Sequence, residues 1–568
     1  MKKCIQFLLI SVCLIISGYA CSDDDSLVPE MIVSKDKIVL SKDGDLEFFH
    51  IKTNLEWSIS SSKTWCSVEP SSGKGIGTIK IAVSASENTT TDIRNAVLSI
   101  KTKDESFVKT MEVEQLQRDL LVIETKEYDV KAEGGNIIIN VQTSGSYNVA
   151  VDKDWIQKSA VVESVSDLSV VFTVSENATI FKRSGSITFS IGDLSETVMI
   201  RQAAADLYVE ADKTGVESDA TALAKKMKIG WNLGNTLEAT DGFTASETLW
   251  GNPVTSKKLI DAVKAAGFNT VRIPCAWNAY IEDESTYKIK DVWLARVKEV
   301  VDYCMDNGMY AIINIHWDGG WLEENPTYDK KEEVNEKQKA LWQQIAVYFR
   351  DYNEQLLFAG TNEVHAGYTE PTSENISVQL SYNQTFVDAV RSTGGKNTWR
   401  NLIVQSYNTN IDYAVKYLKM PTDEVVNRVM VEVHYYDPYE FCLREENSVF
   451  LWGKDFKGEG TISWGQEAWA DEQFEKLRRN FVDNGIPVLL GEYCVMLRSS
   501  LGAADYENHI KSRNYYLNYI TKAAVKNGVI PIYWDSGHTG DKASGLFDRL
   551  TGEQVHVDAI QAIMGSGV

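Results

Sequence analysis

The stretch SKKLIDAVKAAGFNTVRIP, residues 256–274, contains a complete helix–glycine–strand unit. Leu259, Ile260 and Val263 share one face at helical spacing, which predicts a helix over Ser256–Ala266. Gly267 stands where a helix C-terminus takes a left-handed residue, and Asn269–Pro274 then reads as a strand. The unit recurs in both directions along the chain. Val292–Asn307 carries Leu294, Val297, Val301 and Cys304 inward, followed by Gly308 and the strand Tyr310–His316. Phe474, Leu477 and Phe481 line a third helix, ending at Asn484-Gly485 before Pro487–Gly491, and a fourth ends at Asn527-Gly528 before Val529–Trp534. Repeated units of this kind imply parallel strands joined by helical crossovers. With Lys228–Gly234, Gln355–Gly360, Asn401–Gln405 and Met430–His434 the strands number eight, which predicts an α/β fold, a (β/α)8 TIM barrel over 212–568. A doubly wound open sheet is the alternative, but no Gly-rich phosphate turn follows the first strand.

Upstream of the barrel the chain repeats itself once. Trp65 recurs as Trp155, Arg94–Ile100 as Arg183–Phe189, and Val113-Glu114-Gln115 as Ile200-Arg201-Gln202, at a steady offset of 87 to 90 residues. An offset of that size means two tandem domains, 30–117 and 118–206, rather than a solenoid. Alternating stretches such as Ile79–Val83 and Asn136–Val141 predict strands with one buried face, and hence immunoglobulin-like β-sandwiches. The Trp, the Arg-x-(Gly/Ala)-x-(Ile/Leu) strand and the closing strand ending in Gln resemble those of BACON domains, modules found ahead of glycan-degrading enzymes. Trp65 and Trp155 are expected in the core, and the pair of domains is expected to space the enzyme from a membrane.

The first residues read as a targeting segment. Lys2 and Lys3 precede an apolar run, Ile5–Ile16, too short to span a bilayer comfortably. Gly18-Tyr19-Ala20-Cys21 then resembles a bacterial lipoprotein box, with Gly18 departing from the usual Leu, and Ser22-Asp23-Asp24-Asp25 resembles a surface-export tag. The resemblance implies a signal peptide over 1–20, lipidation at Cys21, a linker over 21–29 and a place on the outer membrane of a Gram-negative bacterium. Plain secretion with cleavage nearby is the alternative. The five cysteines beyond this segment are odd in number and lack Cys-x-x-Cys spacing, so neither a disulfide framework nor a zinc site is indicated. A net charge of −23 excludes a nucleic-acid partner, because phosphate recognition needs a basic face. A neutral polysaccharide tolerates it, and 15 Trp with 25 Tyr supply ring-stacking surface.

A barrel of this kind carries its active site at the C-terminal ends of its strands. Arg272 lies in the second, His316-Trp317 ends the third and Asn362-Glu363 follows the fourth; His434-Tyr435-Tyr436 ends the sixth, Glu492 the seventh and Trp534 the eighth. Two glutamates thus face each other from opposite walls, the requirement for glycosidic cleavage: one protonates the leaving oxygen while the other attacks the anomeric carbon. In this strand order, Gly230–Asn235, Val271–Pro274, Ile315–Trp317, Thr361–Glu363, His434–Tyr436, Gly491-Glu492 and Trp534 resemble glycoside hydrolase family 5 across residues 215–568. The resemblance implies Glu363 as acid/base and Glu492 as nucleophile. It also implies that Asn362 holds the sugar 2-hydroxyl, that Arg272 and Tyr436 keep Glu492 ionised, that His316 and His434 order the site, and that Trp534 floors it. Val364 replaces the Pro common after the acid/base and is expected to alter loop shape more than chemistry. A nucleophile beside Arg272 is expected to have a depressed pKa and Glu363 a raised one.

Trp250, Trp317 and Trp321 flank glycine-rich loops and are expected at sugar subsites, whereas Trp231, Trp277 and Trp293 are expected in the core. His316, Asp318, Glu363, His365, His434 and Asp437 offer ligands for a rival metallohydrolase, but neither His-x-His after the first strand nor helical His-x-x-x-His spacing is present. No metal or organic cofactor is implied. A non-catalytic glycan-binding lipoprotein is the second rival, against which both carboxylates stand. Gly234–Ala239 (including Asn235), Trp250–Pro253 and His434–Pro438 resemble subfamily 4 of the family. That resemblance implies a retaining endo-β-1,4-glucanase acting on a plant cell-wall β-glucan, xyloglucan first, then mixed-linkage glucan or a cellulose-like chain, then glucomannan.

Overall fold

The computed structural model describes residues 28–163, 168–446 and 448–565; the signal segment, Cys21 and most of the 21–29 linker lie outside them. The chain divides into two compact units with the boundary near residue 204. The N-terminal unit holds two β-sandwiches. In the first, the sheet Met31–Val33, Glu47–Thr53, Gly77–Ala85, Cys66–Glu69 faces a five-stranded sheet whose long strands are Arg94–Thr102 and Val108–Gln115. Alternate residues of both sheets, Phe49, Ile51 and Ile81 from one and Leu98, Ile100 and Val113 from the other, fill a single core, as a period of two requires. The second sandwich repeats the plan around Ile139, Phe172, Phe189 and Ile200.

The residues that betrayed the repeat form one device, built twice. Arg94 lies over the ring of Trp65 at 4.5 Å and donates from Nε to Gln115 Oε1 at 2.8 Å; Arg183 lies over Trp155 at 4.4 Å and donates to Gln202 Oε1 at 2.8 Å. Each Gln then donates to a strand-end carbonyl, Ser86 or Ser175, at 2.9 Å. Both tryptophans are half-buried against their cores rather than inside them, each with one face under a guanidinium.

The second unit is a closed barrel of eight parallel strands in sequential order. They are β1 Gly230–Leu233, β2 Thr270–Ile273, β3 Tyr310–Asn314, β4 Leu356–Ala359, β5 Leu402–Gln405, β6 Val429–His434, β7 Val488–Glu492 and β8 Val529–Asp535. Ser256 caps the helix Lys257–Ala265 through Oγ, and Gly267, Gly308, Gly485 and Gly528 all have positive φ, as the helix–glycine–strand pattern demands. Ile312, Leu357, Ile403, Met430, Leu489 and Ile532 fill the lower interior, where Leu223 of the short helix Ala220–Ala224 and Met227 beyond it seal them. Polar side chains lie above: Asn232, Arg272, Gln405 and Glu432 are fully buried. The five cysteines among the described residues are free and buried, and Trp231, Trp277 and Trp293 are core.

Candidate active site

Glu363 follows β4 and Glu492 ends β7, and one carboxylate oxygen of each lies, with a nitrogen of His434, in a set of atoms all within 4.8 Å of one another. They open on a cleft of about 830 Å³ lined also by His434, Tyr436, Tyr368, Tyr439 and Trp534. Arg272 organises the wall behind. Its Nη1 donates to Glu492 Oε1 at 3.0 Å and Asn232 Oδ1 at 3.1 Å, and Nη2 to Asn362 Oδ1 at 2.8 Å. Its Nε stands 2.8 Å from Glu432 Oε1, an ion pair without an aligned hydrogen bond. Tyr436 donates to the other oxygen of that carboxylate, Glu492 Oε2, at 2.8 Å. Trp534 is stacked on His316 at 5.7 Å and 9° between planes, and His316 is tied to Asn314 at 3.2 Å. Burial, with Arg272 nearby, holds His316 neutral, well below the usual imidazole range.

His434 joins the two carboxylates. Its Nδ1 is 2.6 Å from Glu363 Oε1 and 3.6 Å from Glu492 Oε2, while Nε2 is 3.3 Å from Glu432 Oε1. Burial alone lowers its pKa, but Glu492, Glu363 and Glu432 outweigh burial and raise it to about 10. Glu432 falls to about 2 because Arg272 and His434 overcome its desolvation. This arrangement reverses the expected order of the two cleft glutamates. Desolvation lifts Glu492 above the usual carboxylate range despite His434 and Arg272, whereas the His434 hydrogen bond overcomes desolvation at Glu363 and lowers it. The sequence reading counted Arg272 and missed that the imidazole favours Glu363.

Arg272, His316, Asn362, Glu363, His434, Tyr436, Glu492 and Trp534 are therefore brought together. Glu363, His434, Tyr436, Glu492 and Trp534 line the cleft itself, Arg272, His316 and Asn362 stand behind it, and the other expected sugar contacts, Asn235, Trp250, Trp317 and Trp321, lie on loops outside that lining. Asn235 occupies a left-handed turn after β1, where its carbonyl accepts from Asn252 Nδ2 at 2.8 Å. Trp321 donates to Asp318 at 2.9 Å and has Lys337 Nζ 4.7 Å from its ring centroid, so it anchors a loop. Trp317 donates to Glu324 at 2.8 Å, and the Trp250 carbonyl lies 3.1 Å from His538 Nε2. Sequence reasoning missed Glu432 and Glu323. The first announces itself as a charge inside the apolar strand Val431–Val433; the second sits in Trp321–Pro326, where nothing marks which acid turns inward.

Of the six residues offered for a metal, only Glu363 and His434, with Glu492, approach closely enough among the described residues to share an ion. Their chemistry does not suit one. The His434 nitrogen is hydrogen-bonded to Glu363, and a guanidinium already neutralises Glu492. Asp318 accepts from Asn278 N–H and Trp321, and Asp437 from Trp469.

A closed barrel with two facing glutamates, a guanidinium behind one and an indole floor is the plan of a glycoside hydrolase. Residues 233–540 match the family described as Cellulase (glycosyl hydrolase family 5), and the chain belongs to that family. Residues 55–116 and 145–203 match BACON, described as a putative N-terminal binding domain. The chain is 41% identical over 473 residues to the xyloglucan-specific endo-β-1,4-glucanase BoGH5A of Bacteroides ovatus, covering 80% of this chain and 91% of that protein. Its structure resembles that of a Bacteroides ovatus GH5 xyloglucanase in complex with a XXXG heptasaccharide, with 40% identity, a TM-score of 0.61, and 79% and 99% of the two chains covered. A GH5-4 broad specificity endoglucanase from Bacteroides salanitronis is also similar, with 36% identity, a TM-score of 0.58, and 62% and 96% covered.

Proposed function

We propose that this family 5 glycoside hydrolase is an endo-β-1,4-glucanase that cleaves internal bonds of xyloglucan with retention of configuration, Glu363 serving as acid/base and Glu492 as nucleophile. The observation that carries the mechanism is that one carboxylate oxygen of Glu363 lies within 4.8 Å of one of Glu492. Retaining enzymes hold them about 5–5.5 Å apart, whereas inverting enzymes need about 6.5–9.5 Å to admit a water between them. So close an approach of two oxygens supports the shorter, retaining spacing.

The proton inventory fits the same division of labour. The Glu363 side chain is 28% exposed and that of Glu492 only 7%. A glucan ring lying on Trp534 strips water chiefly from Glu363, which raises its pKa and draws onto it the proton shared with His434. Arg272 and Tyr436 meanwhile keep both Glu492 oxygens engaged and the carboxylate aimed at the anomeric carbon. Attack by Glu492 forms the glycosyl-enzyme and Glu363 gives its proton to the departing oxygen. With Glu492 esterified its charge is gone, so Glu363 becomes the base that takes a proton from water and releases the sugar.

Xyloglucan is favoured over other β-glucans by the relatives that cover most of this chain. A broader β-1,4-glucanase is the second reading, favoured by the Bacteroides salanitronis likeness. Reducing-end release from xyloglucan, mixed-linkage glucan, carboxymethyl cellulose and glucomannan separates the two. Strong preference for xyloglucan, lost in Glu492→Ala, with a β-anomer as first product by proton NMR, is the expected result. An α-anomer overturns retention, and comparable rates on all four polymers overturn the substrate.

A further inference from the structure

Beside Glu363, Glu492 and Glu432 the site contains a fourth carboxyl, which the mechanism above does not use. Glu323, in the loop after β3, is 5% exposed. Its Oε2 accepts from Asn362 Nδ2 and from the main-chain N–H of Glu363, both at 3.1 Å, and its own carbonyl accepts from His365 N–H at 2.8 Å. We propose that Glu323 is a positioning residue for the reaction, fixing the orientation of the Asn362 amide and the main chain that carries Glu363. The inference rests on Glu363 being the acid/base and on Asn362 facing the sugar.

The amide is the decisive part. The two ends of an asparagine side chain are nearly alike in shape, so its partners alone choose the orientation. Arg272 offers only donors and captures Oδ1 at 2.8 Å; Glu323 offers an acceptor and captures one hydrogen of Nδ2. The second Nδ2 hydrogen is then directed to a sugar hydroxyl. Without an acceptor at Glu323, nothing on that side distinguishes amino group from carbonyl, and a flipped amide turns its amino group towards Arg272 and its carbonyl towards the Glu323 side. The same oxygen also pins the peptide of Glu363, so the carboxyl that must reach the glycosidic oxygen is held from its main chain as well as from His434.

Burying a carboxyl beside two others is costly, which argues that this one is retained for the site rather than for stability. Desolvation and the charges of Glu363 and Glu492 raise its pKa to about 8, against the hydrogen bonds from Asn362 and Glu363. It therefore keeps its proton through neutral pH, supplying an acceptor without adding a negative charge next to Glu363.

The test measures kcat and KM on xyloglucan and an aryl cellobioside for Glu323→Gln, Glu323→Leu, Asn362→Ala and the Glu323→Leu/Asn362→Ala double variant, with Glu363→Gln as control. The amide of Glu323→Gln supplies the same acceptor, so its kcat should stay within about 3-fold of wild type. Glu323→Leu should lose about 10–100-fold in kcat with KM nearly unchanged, and the double variant should be no slower than the slower single. Wild-type kcat in Glu323→Leu, equal losses in the Gln and Leu variants, or multiplicative losses in the double would each overturn the proposal. If Glu323→Leu fails to fold, Glu323→Ala is read by the same criteria. Full activity in Glu363→Gln would instead overturn the assignment of the acid/base itself.

Discussion

At the scale of single residues, the site is a buried charge network rather than a pair of acids. Arg272 and His434 are shared among Glu432, Glu492 and Glu363, and the position of each charge depends on the others. Glu432 is the anchor, fully buried, paired with Arg272 and accepting from Gln405 Nε2 at 2.6 Å. Removing one partner of a buried pair leaves the other uncompensated, so Glu432→Gln should cost about 3–5 kcal/mol of stability at neutral pH. The dependence on pH follows from its depressed value. The wild-type carboxylate stabilises the fold fully above the ordinary value of 4.5, and that contribution is lost as pH falls towards about 2. Denaturant melts of wild type and variant should therefore converge over that acid window. A constant gap between them would show that the lost stability is packing rather than charge.

At the scale of elements, strands and loops were unequally legible. Eight strands, their order and the glycines that end the helices follow from local rules, because period and left-handed backbone leave marks on adjacent residues. The cluster at Glu363, His434 and Glu492 was legible for the same reason: strand ends of a barrel point one way. What the loops do was not. Asn235 and Trp250 were expected at the substrate, and beside them Asn252 makes a tie that the sequence did not announce. Asn252 is 3% exposed and donates to the carbonyls of Asn235 at 2.8 Å and Ser536 at 3.1 Å, tying the β1 loop to the β8 loop just beyond Trp534. Pairing across 284 positions has no local signature. Asn252→Ala should lower stability by about 1–3 kcal/mol, since two half-buried carbonyls lose their donor. Because Trp534 lies two residues before Ser536, kcat/KM should fall together with Tm. An unchanged kcat/KM at a lowered Tm would separate the loop tie from the sugar floor.

At the scale of the whole molecule, the question is what the two sandwiches contribute to a barrel that already holds every group the chemistry uses. We propose that the chain is exported and held by a lipid on Cys21, with the sandwiches as spacers. Lipid labelling in a Gram-negative host should then be abolished by Cys21→Ala, and persistent labelling would sink the anchor. The family description of these modules as putative binding domains suggests a different role, and their tryptophans are the natural platforms for a sugar ring. The structure argues against that use. A platform must be flat, apolar and open, but Trp65 and Trp155 each lie beneath an arginine that is itself locked to a buried glutamine. Displacing the arginine to admit a sugar would give up a cation–π contact of about 0.5–2 kcal/mol together with a hydrogen bond inside each domain. Residues 28–204 should accordingly migrate unretarded through a native gel containing xyloglucan, while the full chain with Glu492→Ala is retarded through its intact cleft. Retardation of residues 28–204 that survives Trp65→Ala and Trp155→Ala would assign binding to another face of the sandwiches. Retardation lost in those variants would show that the arginine gives way, and the spacer reading would fall.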